Sequence, residues 1–188
     1  QDEYCKEYMR YLGIAKTERR SYAESVRILE KNGFKNISAF KTLKKGDRVW
    51  RGCEGRTVMA AVIGSEPIAS AGLKVVGGHT DAPRLDLKPK PLYGKGGLVY
   101  FDCHIYGGIK KYQWVAIPLE LHGVVALKNG EVVDVSIGRE AGEPRFVITD
   151  LLPHLAKDQM TKTMADGITG EGLNILIGSV PYADEGKD

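Results

Sequence analysis

Four histidines, at positions 79, 104, 122 and 154, are the side chains of this chain best suited to acid–base or metal chemistry. The first, His79, opens a His-Thr-Asp tripeptide that ends on Asp81. An imidazole can bind a metal ion through one ring nitrogen while a carboxylate accepts a hydrogen bond from the other, which fixes the tautomer and makes the ring a better ligand. His79 is therefore a candidate metal ligand and Asp81 its orienting carboxylate. The alternative is an ordinary hydrogen-bonded histidine at the end of a strand.

The residues before His79 are those expected of an element that positions it. Leu73–Gly77 is an apolar run bounded by glycines, and it predicts a buried strand that ends at the His-Thr-Asp motif. In open α/β sheets, ligand sites lie at the carboxyl ends of strands. Pro83, Pro89 and Pro91 follow, so the chain beyond the motif is predicted to run extended or to turn, and not to form a helix.

Two helices are predicted before this strand. Tyr4, Tyr8 and Leu12 recur at helical spacing and predict the first helix. Ser21-Tyr22-Ala23-Glu24 has the pattern of a capping box and predicts the start of the second. Asn32-Gly33 supplies a left-handed stop at its end.

From about Pro91 onward the pattern changes to short strands separated by turns. The predicted strands are Leu98–Tyr106, Val115–Leu121, Val124–Leu127, Val132–Ile137, Arg145–Ile148 and Leu173–Ile177. Asn129-Gly130 fits the two left-handed positions of a type I′ turn and predicts a hairpin. The sequence therefore predicts an α/β part over residues 1–90 and a β-rich part over residues 91–188.

Composition excludes several classes of protein. Of the 188 residues, 43% are hydrophobic and 27% are charged, which is typical of a folded globular chain and not of a disordered one. The net charge of +3 is too small and too dispersed for a nucleic-acid-binding face, and no apolar run reaches the roughly 18 residues of a membrane span. The cysteines (Cys5, Cys53 and Cys103) are odd in number and far apart, which favours free thiols in a reducing, cytoplasmic compartment.

Simpler interpretations apply to the other polar candidates. Arg84, Lys88 and Lys90 could attract an acidic substrate, and the alternative is a solvated basic loop. His104 and His122 fall inside strand patterns, where an ordinary core or surface imidazole is expected.

The string from Gly77 to Pro89, GGHTDAPRLDLKP, closely resembles the first metal-ligand motif of the M18 family of zinc aminopeptidases, the aspartyl aminopeptidase relatives of the bacterial branch. Tyr106–Tyr112 and Pro118–Val124 resemble the start of the domain that is inserted in this family. Asp150–Leu155 resembles a further family motif. The segments occur in the family's order, so the resemblance covers nearly the whole chain.

The resemblance implies a fold and a function. The fold would be α/β: the N-terminal part of a zinc-exopeptidase-like catalytic domain over residues 1–90, followed by part of a β-rich inserted dimerisation domain over residues 91–188. The function would be a metallo-aminopeptidase that removes N-terminal residues, acidic ones among them, from peptides by means of a metal-activated water. The implied assembly is a homo-oligomer of dimer units, up to a dodecamer, without nucleic-acid or membrane partners.

The resemblance also assigns site residues. His79 would bind zinc, Asp81 would orient it, and a complete active site would hold two zinc ions, with cobalt or manganese as alternatives. His154 would belong to the metal or substrate region. In some members the corresponding histidine lies four residues further on, where this chain has Asp158, so a packing histidine at a helix start is the alternative for His154.

One departure from the family limits what this chain can do. A two-zinc site needs further acidic ligands and a general-base Glu beside a ligand Glu, and the sequence has no Glu-Glu pair. The acids after Asp158 match no family motif; they are Asp166, Glu171, Asp184, Glu185 and Asp188. We therefore expect an incomplete portion of the enzyme that is inactive alone. The alternative is a non-catalytic assembly or interaction module, whose uncovered strand edges require a partner.

Overall fold

The computed structural model describes residues 1–180. The chain forms two compact units; the first ends at Ala82 and the second begins at Pro83. The predicted division at residues 90 and 91 falls inside a continuous strand, Arg84–Lys95. The first unit contains both helices and strands, and strands dominate the second. The identity of the two units as catalytic and dimerisation domains stays a prediction.

The first unit consists of helices followed by a small sheet. Its elements are α1 (Asp2–Ile14), α2 (Glu18–Lys31), β1 (Lys35–Asn36), β2 (Arg48–Cys53), β3 (Thr57–Val62) and α3 (Ile68–Ala71). The sheet order is β1-β2-β3, with β1 parallel and β3 antiparallel to β2. Val49 and Trp50 of β2 are buried, and Tyr22 of α2 lies so close to Gly52 that a Cβ there would overlap the phenol ring.

The second helix begins one turn earlier than predicted, so the capping-box interpretation is wrong. Thr17 is the N-cap and accepts the Arg20 N–H at 3.4 Å. Ser21 and Glu24 lie within the helix and are buried. Ser21 is bound by its hydroxyl to Tyr11 of α1 at 2.6 Å, so its oxygen joins two helices and does not cap one.

The predicted end of this helix is confirmed. Gly33 adopts a left-handed φ of 82°. Its N–H donates to the Glu30 carbonyl, and the Phe34 N–H donates to the Leu29 carbonyl. This paired arrangement satisfies carbonyls that a helix end would otherwise leave without partners.

The predicted strand Leu73–Gly77 does not form. Residues 72–83 have no regular secondary structure, and Leu73, Val75 and Val76 are 70%, 79% and 100% exposed. A strand exists only when its backbone groups pair with a neighbouring strand, and within residues 1–180 no strand pairs with this run. The apolar sequence indicates where a strand could be buried, whereas its formation depends on a pairing partner.

The second unit contains an antiparallel sheet and a separate hairpin. Its elements are β4 (Arg84–Lys95), β5 (Leu98–Tyr106), β6 (Leu121–Ala126), β7 (Val132–Ile137), α4 (Lys157–Met160) and β8 (Ile175–Gly178). The sheet order is β4-β5-β8, and β6 pairs with β7. The register of β4 shifts between Leu87 and Leu92, where Pro89 and Pro91 cannot donate ladder hydrogen bonds.

The core of this unit is small and lies against one face of the sheet. Its buried residues are Cys103, Ile148, Leu173 and Ile175. Burial raises the pKa of the Cys103 thiol to about 11, so this thiol is a packing residue and a poor nucleophile. Cys5 and Cys53 are exposed, and all three cysteines are free, as predicted.

Predictions of the short strands in this unit were partly right. Leu98–Tyr106 and Val132–Ile137 are confirmed to the residue. Val115–Leu121 is wrong, because Ala116 takes a left-handed φ of 59° and breaks the extended run. Pro118, which lacks an N–H, follows it, and Leu119 retains only an isolated bridge to Phe146.

The hairpin between β6 and β7 is confirmed, but its turn type is not the predicted one. Only Gly130 has a positive φ, at 87°, whereas a type I′ turn needs it at Asn129 as well. The Gly130 N–H donates to the Leu127 carbonyl, and the Leu127 N–H donates to the Glu131 carbonyl. The longer loop lets Asn129 use its side chain to accept the Glu131 N–H at 3.0 Å.

Candidate metal-ligand site

His79 and Asp81 lie in contact in the first unit. The Nδ1 atom of His79 is 3.0 Å from the Asp81 carboxylate and 2.9 Å from the Asp81 carbonyl oxygen. A backbone carbonyl oxygen and an ionised carboxylate accept hydrogen bonds but cannot donate them. The Nδ1 atom of His79 must therefore carry the proton. In the neutral ring the lone pair is then on Nε2, the atom that a metal would bind.

The surroundings of the pair leave this nitrogen accessible. The His79 side chain is 83% exposed and the Asp81 side chain 40% exposed. Among the described residues, Nε2 of His79 makes no hydrogen bond. Thr80 lies between His79 and Asp81 in the sequence, and its hydroxyl donates to the Arg56 carbonyl at 3.4 Å. This long hydrogen bond links the motif to the turn between β2 and β3. The motif therefore sits on an irregular segment and not at the end of a strand.

No complete metal site forms within the part of the chain that the structure describes. Residues 1–180 contain no group of three or more His, Cys, Asp or Glu side chains arranged to hold a metal ion. The structure thus brings together two of the predicted site residues, one as a candidate ligand and one as its support.

His154 lies in the second unit, on a turn that precedes α4. Its ring is exposed, so the alternative interpretation as a packing histidine is not supported. The turn is organised by Asp150, whose carboxylate accepts the Leu151 N–H at 2.8 Å and the Gln159 side-chain amide at 3.0 Å. A role for His154 toward metal or substrate stays a prediction.

The basic residues after the motif are engaged inside the second unit. The Arg84 guanidinium lies 3.9 Å from the centroid of the Tyr106 ring and donates to Asp86 at 2.7 Å. Lys88 contacts Asp102 at 2.9 Å, and the hydrogen bond to Asp102 is the main reason that its pKa is raised. Both cations already have carboxylate partners, so the interpretation that they attract an acidic substrate loses its support.

Sequence reasoning missed a contact between a buried histidine and a glutamate. His122 is only 5% exposed, and its Nε2 atom is 2.7 Å from the Glu120 carboxylate. The signal was available, because residues two apart on extended backbone point to the same side. Within residues 1–180, His104 makes no such contact; it is exposed on β5, opposite Asp86.

A family model for "Aminopeptidase I zinc metalloprotease (M18)" matches residues 11–187 of the chain. The chain belongs to the M18 family. The resemblance inferred from the motifs is thereby confirmed, and so is the α/β fold class that it implied.

Bacterial M18 relatives match almost the entire chain. A Clostridium acetobutylicum protein named "Probable M18 family aminopeptidase 1" is 43% identical over 181 residues, which are 94% of this chain and 39% of that protein. A Borreliella burgdorferi protein of the same name is 41% identical and covers 98% of this chain and 40% of its own length. This M18 chain therefore spans about two fifths of the length of the curated relatives it matches.

Solved M18 structures share the fold. The crystal structure of an M18 aminopeptidase from Thermotoga maritima has a TM-score of 0.88 and 37% identity, and the match covers 99% of this chain and 40% of that one. The structure from Clostridium acetobutylicum has a TM-score of 0.82 at 38% identity, over 97% and 41% of the two chains. Every helix within residues 1–180 of this M18 chain is too short or too polar to traverse a lipid bilayer.

Proposed function

We propose that this M18 chain is part of a metallo-aminopeptidase that removes N-terminal residues from peptides, and that His79 is one of its metal ligands. The observation that carries the proposal is the pair of contacts at Nδ1 of His79, at 2.9 and 3.0 Å, which directs the proton to that nitrogen. The lone pair on Nε2 is then available to a metal ion, because the His79 side chain is 83% exposed. Such a carboxylate partner is the usual support of a metal-bound histidine.

Zinc is the metal that these residues and the family description favour, with cobalt or manganese as alternatives. Among the described residues, His79 fits zinc as one ligand and Asp81 as the carboxylate that supports this ligand. A complete site with two metal ions would require further ligands. When bound, such a metal polarises a carbonyl and makes a water more acidic. Asp81 holds the imidazole of His79 in one orientation and keeps its Nδ1 atom protonated. A separate proposal is that His154 contacts metal or substrate.

Substrates are proposed to be peptides with a free N-terminus, acidic residues among those removed. The 188-residue chain alone is proposed to be inactive, because residues 1–180 hold no group of three or more side chains that could bind a metal ion together with His79. Hydrolysis of an aspartyl chromogenic substrate by this chain alone, at a rate typical of enzymes, would contradict that part of the proposal.

Replacing Asp81 by asparagine tests how His79 is held. Asparagine keeps the shape but removes the negative charge that favours the Nδ1–H tautomer, so we expect zinc affinity to fall by about 10- to 100-fold. Competition with a chromophoric chelator measures the change. Asp134→Asn, at an exposed position of β7, is the matched control and is expected to leave affinity unchanged. Equal affinities of Asp81→Asn and the unsubstituted protein would contradict the orienting role.

A homo-oligomer of dimer units, up to a dodecamer, is the proposed assembly. Leu73, Val75 and Val76 are 70%, 79% and 100% exposed. Contiguous exposed apolar side chains mark surfaces that other polypeptide covers. Further copies of the chain would cover such surfaces in the proposed assembly.

Light scattering tests the assembly. We expect a mass well above 20.6 kDa for the chain in solution, and a sharp monomer peak with a cooperative thermal transition would contradict it. The same exposed apolar side chains favour the second candidate function, a non-catalytic assembly module, which would form the oligomer but bind no zinc through His79. A cytoplasmic location is also proposed, since all three cysteines are free.

A further inference from the structure

The loop that follows β7 is closed by one carboxylate. The clasp loop, Gly138–Glu143, directs three consecutive backbone N–H groups toward Oε2 of Glu143. The donors are Gly138 at 3.0 Å and Arg139 and Glu140 at 2.9 Å each. Consecutive amides that converge in this way form an anion-binding concavity, which this chain fills with its own side chain.

The start of the clasp loop is packed too tightly to move without breaking contacts. Gly138 has a left-handed φ of 95°, and a Cβ placed there would lie 3.2 Å from the Pro144 carbonyl oxygen and 3.3 Å from Glu120 Cα. It would also lie 3.3 Å from the Leu119 carbonyl oxygen. The end of β7 and the residues that lead into β6 therefore meet at this glycine.

This meeting point is the base of the hairpin formed by β6 and β7. Toward the tip, Val125 and Val132 are 48% and 61% exposed. At the base, Leu119 exchanges backbone hydrogen bonds with Phe146, which follows the clasp loop. The orientation of the hairpin relative to the rest of the second unit thus depends on Gly138, before Glu143, and on Phe146, after it.

We propose that Glu143 is a conformational clasp that fixes the base of the β6–β7 hairpin to the rest of the second unit, and that protonation of its carboxylate releases the hairpin. The charged groups around it are Arg139, Glu140 and Arg145 on the same segment, with Glu120 and its partner His122 from the strand side. The Arg145 guanidinium donates to the Arg139 carbonyl at 3.5 Å and adds positive charge beside the carboxylate.

The direction of the pH effect follows from these contacts. The hydrogen bond from the Glu140 N–H, supported by those from Gly138 and Arg139, lowers the pKa of Glu143 from its ordinary value of 4.5. A carboxyl with a lowered pKa stabilises the folded form above its unfolded value and loses that contribution as the pH falls through the lowered value. The clasp is accordingly closed at neutral pH and opens only in acid, below about 4.5.

Hydrogen exchange on the intact chain tests the clasp. In Glu143→Ala at neutral pH we expect the amides of residues 138–140 to exchange at least roughly tenfold faster, with faster exchange also at Ile137, because three charge-assisted hydrogen bonds are lost. Glu140→Gln is the matched control. The Glu140 side chain is 76% exposed and lies 3.7 Å from Arg139, and the bond to Glu143 uses the backbone N–H of Glu140. The exchange pattern of this variant should therefore match that of the unsubstituted chain.

Two results would overturn the proposal. One is exchange at residues 138–140 in Glu143→Ala within twofold of the unsubstituted chain while the circular dichroism spectrum is preserved. If Glu143→Ala fails to fold, the unsubstituted chain supplies the second measurement by amide NMR. The three amide resonances should then shift together with one midpoint below 4.5, and independent shifts or an ordinary glutamate midpoint would exclude the clasp.

Discussion

Replacing His79 by alanine is expected to reduce the bound zinc and the aminopeptidase activity of the intact M18 protein to background. The substitution removes Nε2, the donor that the contacts between Nδ1 and Asp81 leave with a lone pair. Residues 1–180 hold no group of three or more potential ligands that could bind the metal ion in place of His79. Metal content by atomic emission and hydrolysis of chromogenic aminoacyl substrates measure the two losses separately.

His104→Ala is the control for this experiment. His104 is also an exposed histidine, but it lies on β5, and its removal should change neither metal content nor rate. If His79→Ala retained the zinc and activity of the unsubstituted protein, the metal assignment would fail. Loss of activity with full zinc content would instead give His79 a role toward substrate and would contradict the proposed ligand role.

Replacing Ile148 by alanine is expected to lower the free energy of unfolding of the second unit by about 2–5 kcal/mol. Ile148 is 1% exposed and belongs to the cluster of Cys103, Leu173 and Ile175, so the substitution leaves a cavity that its neighbours cannot fill. Urea denaturation is followed by the fluorescence of Trp114, which packs against the cluster, with Trp50 of the first unit replaced by Phe in every variant so that the signal reports on the second unit.

Leu155→Ala provides the comparison for the core substitution. Leu155 is 71% exposed, and its replacement should change the free energy of unfolding by no more than about 0.5 kcal/mol. A midpoint shift for Ile148→Ala no larger than that for Leu155→Ala, with the same dependence on urea, would show that the cluster does not stabilise the unit.

Local features of the fold were predictable because their causes lie within a few residues. The helix stop at Asn32-Gly33 depends on one left-handed residue, and Gly33 supplies it. The hairpin around Gly130 likewise needs a single positive φ between two apolar strands. The contact of His79 with Asp81 is also local, since the two residues are separated by Thr80 alone.

Features that depend on distant partners were not predictable in the same way. Leu73–Gly77 has the composition of a buried strand, but no strand within residues 1–180 pairs with it. Lys88 was expected to be solvated or to attract a substrate, and it contacts Asp102 and Glu171, the latter 83 residues away in the sequence. Glu143 is a different case: its three donors lie only three to five residues away, but they are backbone N–H groups that every residue type other than proline possesses, so its role carries no sequence signal.

The sequence by itself therefore determined the M18 family, the α/β class and the histidine–aspartate pair, since motifs and short-range contacts depend on neighbours in the chain. Only the tertiary structure decided which apolar runs become strands, that Arg84 and Lys88 are neutralised by carboxylates, and that Glu143 closes the base of a hairpin. Strand pairing and the contact of Lys88 with Asp102 require distant segments to meet, and the free energy that brings them together comes from burial and pairing over the whole unit. The bonds of Arg84 to Asp86 and of Glu143 to the N–H groups of residues 138–140 are local, but they depend on a backbone path that the residue types do not specify.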